Sequence, residues 1–134
     1  MPPINERGSV EVPLARPLRV LCAEDHDQVA ELIRLIVARA GHQVDCTADG
    51  AQALAKILAS SAPYDVLITD HVMPTMDGLA LVRASRAAGF AGRIIVQSAR
   101  LSPRDKADYA ALGVADFVQK PVRPEALRKL LAET

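Results

Sequence analysis

The chain has 134 residues, of which 50% are hydrophobic and 24% are charged, values typical of one soluble globular domain. Basic and acidic side chains number 16 each, so no general field favours nucleic acid or an anionic membrane. Aromatic residues make up 3% and Trp is absent, which argues against an aromatic platform for nucleobases. No apolar run approaches the roughly 18 residues that a membrane span needs. No signal peptide is recognised, so we expect a cytoplasmic protein.

The N-terminal stretch differs from the rest of the chain. Residues 1–17 hold four prolines among mixed polar residues and show neither strand nor helix periodicity. We therefore predict a flexible arm or linker over 1–17 and one domain over 18–134. A stand-alone protein and a piece of a larger hybrid kinase both fit this division, and Met1 favours an independent start.

From residue 18 onward, strand-like and helix-like segments alternate. Apolar runs predict five strands, at 18–23, 43–47, 65–69, 93–97 and 115–119. Helices are predicted between and after them, at about 29–40, 50–60, 77–88, 103–112 and 124–132. Asp49 with Gln52 predicts a capping box, and Ser102 before Pro103 predicts another helix start. This order predicts an α/β fold with a doubly wound parallel sheet covered on both faces.

Polar side chains follow four of the predicted strands. They are Glu24 with Asp25, Asp70, Ser98 and Lys120. In open α/β sheets, ligands bind outside the carboxyl ends of the strands, so these groups are expected to form one site. Three carboxylates at close range need a cation, and Mg²⁺ prefers hard oxygen ligands.

Each of these residues also has an ordinary structural interpretation. The acid pair could cap a helix, Asp70 could be a solvated loop acid, and Lys120 could be an exposed surface lysine. Ser98 could simply form a turn. The functional alternative makes Asp70 a nucleophile that forms an aspartyl phosphate, with Lys120 and Ser98 contacting the phosphoryl oxygens.

The chain resembles the receiver domain of two-component response regulators over about residues 18–132. The motifs that carry the resemblance are Ala23-Glu24-Asp25, Asp70-x-x-Met73-Pro74-x-x-Asp77-Gly78, Ser98-Ala99 and Lys120-Pro121. The resemblance implies a flavodoxin-like (βα)5 fold with strand order 2-1-3-4-5. It also implies that Asp70 accepts a phosphoryl group from a histidine on a sensor kinase or on a histidine phosphotransfer protein.

The resemblance further implies a role for each site residue. Asp25, Asp70 and the backbone carbonyl of Val72 would bind Mg²⁺ directly, and Glu24 would act mainly through water. Lys120 would contact the phosphoryl group and precede a cis peptide bond.

Two more residues complete the implied site. Ser98 would hydrogen-bond the phosphoryl group, and Phe117 would be the aromatic switch residue of the family. Their movement would alter the face of the fourth helix, fifth strand and fifth helix, where a downstream protein or a second, phosphorylated copy would bind. Val72 and Arg100 occupy the positions that tune phosphoryl lifetime. Direct nucleic-acid or membrane binding is not expected.

Two rival functions remain open at this stage. A magnesium-dependent phosphatase or phosphotransferase could use Asp70 as its nucleophile, but Val72 stands where one such class needs a second acid. A constitutive binding module usually loses the acid, the hydroxyl or the lysine, and this chain keeps all three. His26 and His71 flank the acidic residues and could act as metal ligands or bases. An ordinary solvent-facing loop position explains each of them equally well.

Two further expectations concern the core. Cys22 and Cys46 match no metal spacing and are expected to be buried thiols in a reducing cytoplasm. Tyr64 and Tyr109 are expected at the edge of the core.

Overall fold

The computed structural model describes residues 16–134. The predicted arm over 1–17 lies outside the described residues, apart from Arg16 and Pro17. Arg16 forms an ion pair with Asp65, with 2.6 Å between Nη2 and Oδ1. The boundary between arm and domain therefore stays a prediction.

Five strands alternate with five helices along the described chain. The strands are β1 (Arg19–Ala23), β2 (Gln43–Thr47), β3 (Val66–Asp70), β4 (Arg93–Ser98) and β5 (Asp116–Gln119). The helices are α1 (Asp27–Arg39), α2 (Gly50–Ala59), α3 (Gly78–Ala87), α4 (Pro103–Ala111) and α5 (Pro124–Ala132). All ten predicted elements are confirmed, with ends that differ by at most two residues. The polar residues Asp70 and Ser98 belong to their strands, because each pairs in register with a neighbouring strand.

The sheet is parallel throughout and has the order β2-β1-β3-β4-β5. This confirms the doubly wound, flavodoxin-like topology. From β1 the chain first adds β2 on one side and then adds β3, β4 and β5 on the other side. The loops after β1 and β3 therefore diverge and leave a crevice at the carboxyl ends of these two strands.

Two apolar layers cover the sheet. On one face, Leu67 and Ile94 pack with residues of α2, α3 and α4, including Leu81. On the other face, Ile68 and Ile95 pack with residues of α1 and α5. Successive strand residues thus alternate between the two layers, as the period of two in a strand requires.

Local capping differs in part from expectation. Asp49 accepts a hydrogen bond from the Gln52 N–H at 2.8 Å, but the Gln52 side chain accepts from Ala48 rather than from Asp49. The predicted capping box is therefore wrong in its second half. Ser102 and Asp105 form a complete capping box at the start of α4. The Lys120–Pro121 peptide bond is cis, as the resemblance implies.

Candidate functional site

An acidic cluster lies at the carboxyl ends of β1 and β3. Glu24, Asp25, His26 and Asp70 each offer a potential ligand atom, and these atoms lie within 4.8 Å of one another. The register explains this proximity, because Ala23 of β1 pairs with Thr69 of β3 and the next residue of each strand therefore emerges beside the other. The convergence expected at the ends of β1 and β3 is therefore found.

A cavity of about 400 Å³ opens above this cluster. Its lining includes five of the residues predicted at or just after the ends of β1, β3, β4 and β5, namely Asp25, Asp70, Val72, Ser98 and Lys120. Val72 is 72% exposed and lies on the loop after β3. Five of the predicted site residues therefore share one solvent-accessible space.

Lys120 spans two of the carboxylates. Its Nζ lies 2.6 Å from Oδ2 of Asp70 and 3.3 Å from Oε2 of Glu24. Burial by itself would lower the pKa of Lys120, but the hydrogen bond to Asp70 and the charges of both acids outweigh it and raise that pKa. The side chain is an ammonium ion held in the site, so its interpretation as an exposed surface lysine is wrong.

Glu24 turns inward from the end of β1. It is 2% exposed, and its Oε2 accepts a hydrogen bond of 2.7 Å from Nε2 of Gln97. Its Oε1 accepts from the backbone N–H of His26 at 3.1 Å. Burial raises the pKa of Glu24, and the hydrogen bond from the His26 backbone opposes that rise. Because His26 occupies the N-cap of α1 and makes no side-chain cap bond, the acid pair does not serve as the simple helix cap considered above.

Gln97 was missed by the sequence analysis. It is 1% exposed and holds Glu24 from β4, on the far side of β3. A glutamine next to Ser98 inside an otherwise apolar strand is a signal that could have been noticed, since a buried amide needs a polar partner.

Asp25 carries an orphan acceptor. Its Oδ1 is buried and accepts no hydrogen bond from the described residues, although Nδ1 of His26 lies 3.4 Å away. A buried carboxylate oxygen without a donor is costly. A divalent cation bound beside Asp70 would satisfy it, and the all-oxygen set of the three acids suits a hard cation. The residues present thus fit a magnesium ion.

The Ser98 hydroxyl is hydrogen-bonded to the backbone of Arg100 in the loop that follows β4. Its Oγ donates to the carbonyl of Arg100 at 2.9 Å and accepts from the Arg100 N–H at 3.1 Å. Ser98 and Phe117 also line a second cavity of about 300 Å³, on the side of β4 that faces α4. The half-buried Phe117 ring packs edge to face on Tyr109, with 5.9 Å between centroids.

The two histidines next to the site are placed differently. His26 belongs to the acidic cluster, with Nδ1 3.1 Å from Oε1 of Glu24. His71 lies outside that cluster, because its Nδ1 is 2.7 Å from the hydroxyl of Tyr109 and its Nε2 is 3.6 Å from Asp105. Tyr109 is fully buried, so the expectation that it lies at the edge of the core is wrong.

Known proteins resemble this chain over most of its length. A family model of the response regulator receiver domain matches residues 20–132. The two-component response regulator ORR41 of Oryza sativa is 33% identical over 118 residues, covering 87% of this chain and 93% of the relative. The transcriptional regulatory protein DltR of Streptococcus agalactiae is 33% identical over 110 residues, covering 82% of this chain and 48% of the relative. The chain therefore spans about half the length of DltR and of several other curated relatives it matches.

Solved structures show the same fold. The Vibrio cholerae chemotaxis protein CheY4 superimposes with a TM-score of 0.80 at 31% identity, covering 87% of this chain and 98% of that chain. A response regulator receiver protein from Pseudomonas putida superimposes with a TM-score of 0.82 at 28% identity, covering 90% and 100%. None of the helices within residues 16–134 has the length and apolar character that crossing a bilayer requires. The chain belongs to the family of response regulator receiver domains, which are signalling domains of two-component systems.

Proposed function

We propose that Asp70 accepts a phosphoryl group from a phosphohistidine, on a sensor kinase or a histidine phosphotransfer protein, in a reaction that requires Mg²⁺. The observation that carries this proposal is the position of the Lys120 ammonium, 2.6 Å from Asp70, in a cavity that Asp25 with its orphan oxygen also lines. One cationic partner for three clustered acids leaves a negative site that suits a metal and a phosphoryl group together.

The transfer forms one bond and breaks another. A carboxylate oxygen of Asp70 attacks phosphorus, the bond from phosphorus to the donor imidazole nitrogen breaks, and the imidazole leaves with the bonding electrons. Lys120 engages Oδ2 of Asp70, so Oδ1 is the oxygen assigned to attack. Lys120 then contacts a phosphoryl oxygen as charge develops there.

Four residues are assigned to the metal. Asp25, Asp70 and the carbonyl of Val72 would hold Mg²⁺ directly, and Glu24 would act through water. Bound Mg²⁺ would neutralise charge on the transferring phosphoryl group. The hydrogen bonds from Gln97 and the His26 backbone keep Glu24 oriented toward this position.

The acyl phosphate would hydrolyse slowly in the same site, which resets the domain. Arg100 and Val72 line the cavity above Asp70 and are positioned to influence water access. We assign them the tuning of phosphoryl lifetime. Both the phosphotransfer and this hydrolysis would be catalysed by the domain itself, through positioning and charge neutralisation.

The switch is proposed to start at Ser98. To reach a phosphoryl group on Asp70, its hydroxyl must leave the two hydrogen bonds with Arg100, each worth roughly 1 kcal/mol net. That movement would open space beside Phe117 in the cavity that both residues line. An inward turn of Phe117 would then change the face formed by α4, β5 and α5, as a population shift between two packings.

The changed face would bind a downstream protein or a second phosphorylated copy. Its groove of about 670 Å³ runs between β5 and α5, with Phe117 at one side and Leu130 at the other. We place this protein in the cytoplasm, where sensor kinases phosphorylate their regulators. The receiver domain is proposed to span 18–134, with 1–17 as an arm.

The test is intact-mass analysis after incubation with Mg²⁺ and acetyl phosphate. We expect a single labile phosphoryl adduct that is lost in Asp70→Asn and in the presence of EDTA. Asp108→Asn on α4, outside the acidic cluster, is the matched control and should still form the adduct. An adduct that persists in Asp70→Asn would contradict the assignment. If the small donor gives none, a phosphorylated histidine phosphotransfer protein replaces it, and a second failure contradicts the proposal.

A further inference from the structure

The two cysteines of this chain lie on neighbouring strands in direct register. Cys22 of β1 pairs with Cys46 of β2 in the parallel sheet. Neighbouring strands are about 4.8 Å apart, which is within the range of Cα separations that disulfides span. Register partners project from the same face of a sheet, and Cys46 packs against the apolar layer that contains Cys22.

The two thiols differ in access. Cys22 is fully buried, whereas Cys46 is half-buried and lines a cavity of about 410 Å³ between α1, β2 and α2. Arg34 and Glu31 of α1 line the same cavity. A small oxidant therefore reaches Cys46 directly and does not reach Cys22.

We propose that Cys46 and Cys22 form a redox site in which hydrogen peroxide oxidises Cys46 and Cys22 then closes a reversible disulfide between β1 and β2. This site is separate from the proposed phosphoacceptor chemistry and does not depend on it.

The environment of Cys46 supports its role as the first thiol to react. A hydrogen bond from the Cys22 thiol and the positive charge of Arg34 lower the pKa of Cys46 to about 7, against the opposing effects of burial and of the acids Glu31 and Asp45. The thiolate is the nucleophilic form of cysteine. The lowered pKa gives Cys46 more thiolate character than Cys22, whose pKa is raised, and this favours Cys46 as the thiol that reacts first.

One hydrogen peroxide molecule oxidises one thiol pair. The Cys46 thiolate attacks a peroxide oxygen, the O–O bond breaks, and a sulfenic acid forms while the departing hydroxide takes up a proton as water. The Cys22 sulfur, losing its proton, then attacks the Cys46 sulfur. The S–O bond breaks, the S–S bond forms and a second water leaves. The two thiols are oxidised by two electrons, and the peroxide is reduced to two waters.

The location gives this disulfide a structural consequence. Thr47 donates its hydroxyl proton to the carbonyl of Cys22 at 2.8 Å, and the N–H of Glu24 donates to the carbonyl of Thr47 at 3.0 Å. The disulfide would thus link β1 covalently to β2 beside the acidic cluster. In a reducing compartment it would be transient, as cytosolic disulfides in redox sensors are.

The test is a titration of the reduced full-length chain with hydrogen peroxide, followed by alkylation with iodoacetamide and peptide mass mapping. We expect both thiols to be lost together, one intramolecular Cys22–Cys46 peptide to appear, and the reductant TCEP to restore both thiols. Asp70→Asn should behave identically, which separates this result from failure of the proposed phosphotransfer.

Single substitutions assign the order of events. Cys22→Ala should stop at a Cys46 sulfenic acid that the trapping reagent dimedone labels, and Cys46→Ser should slow oxidation of Cys22 at least tenfold. If Cys22→Ala does not fold, brief dimedone labelling of the unsubstituted protein must still mark Cys46 before Cys22. A disulfide formed only between two molecules, over-oxidation of Cys46 without a disulfide, or equally fast oxidation of Cys22 in Cys46→Ser would overturn the proposal.

Discussion

The Nδ1 atom of His71 lies 2.7 Å from the hydroxyl of Tyr109, and the two rings meet edge to face with 5.5 Å between their centroids. His71 directly follows Asp70, and Tyr109 in turn packs on Phe117 at 5.9 Å. A continuous series of ring contacts therefore joins the residue after the proposed phosphoacceptor to the proposed switch residue on β5. Burial raises the pKa of Tyr109 well above its usual range, so its hydroxyl stays protonated.

Tyr109→Phe should remove this hydrogen bond and keep the ring. We expect the free energy of unfolding to fall by about 1 kcal/mol, because His71 loses a buried partner, and we expect the phosphoryl adduct to form as before. Urea denaturation measures the stability. Tyr64→Phe, which removes a hydroxyl that donates to Asp45, is the comparison. The NMR resonances of Phe117 should shift in Tyr109→Phe alone, and unchanged Phe117 resonances would argue against coupling.

Lys120→Met should leave Glu24 and Asp70 facing each other without their ammonium partner. Because the Lys120 side chain keeps 20% exposure and some screening by water, we expect a loss of about 1–2 kcal/mol of unfolding free energy in EDTA. Mg²⁺ should recover much of that loss, and adduct formation should be strongly reduced. Lys120→Arg retains the charge and is the control. Full stability of Lys120→Met in EDTA would show that the three-residue contact contributes little.

Mg²⁺ should raise the melting temperature of the protein, since a ligand that binds the native state stabilises it by RT ln(1 + [L]/Kd). The rise should be largely abolished in Asp25→Asn, which loses the carboxylate whose Oδ1 has no donor among the described residues. Calorimetry with and without Mg²⁺ measures both effects. Asp108→Asn should respond like the unsubstituted chain. An equal response of Asp25→Asn would remove Asp25 from the proposed ligand set.

Gly78→Ala should be strongly destabilising. A Cβ at this position would overlap the carbonyl oxygen of Asp70 and lie 2.8 Å from the Tyr109 hydroxyl. The start of α3 would have to move away from the end of β3, at a cost of roughly 1–3 kcal/mol. Urea denaturation gives the magnitude. A variant that retains its stability would mean that the loop after Asp70 adjusts freely.

Alkylation of Cys46 should follow a titration curve centred near pH 7, because the thiolate is the reactive form and the pKa of Cys46 is about 7. The rate should fall as the pH decreases below that value, where the thiol is protonated, and should level off above it. Arg34→Gln should move the midpoint upward by removing a positive charge. Iodoacetamide kinetics with peptide mapping measure the curve, and a midpoint near 8.5 would contradict the lowered pKa.

Much of the fold could be read from local patterns. The alternation of apolar runs with helical spacing located all ten elements, because each strand must bury its side chains and each helix only one face. Element ends were less accurate. Whether Asp70 and Ser98 belong to their strands depends on backbone pairing with β4 and β5, which is not encoded in either residue alone.

The sequence by itself determined which chemical groups stand at the strand ends: the acids Glu24, Asp25 and Asp70, with Ser98 and Lys120. Only the tertiary structure decided which side chains come into contact with one another. Gln97 reaches Glu24 across β3, Tyr109 is buried against His71, and Cys46 lies beside Cys22. These pairs are separated by 24 to 73 residues along the chain. Strand order and register bring them together, and such long-range contacts leave no local periodicity in the sequence.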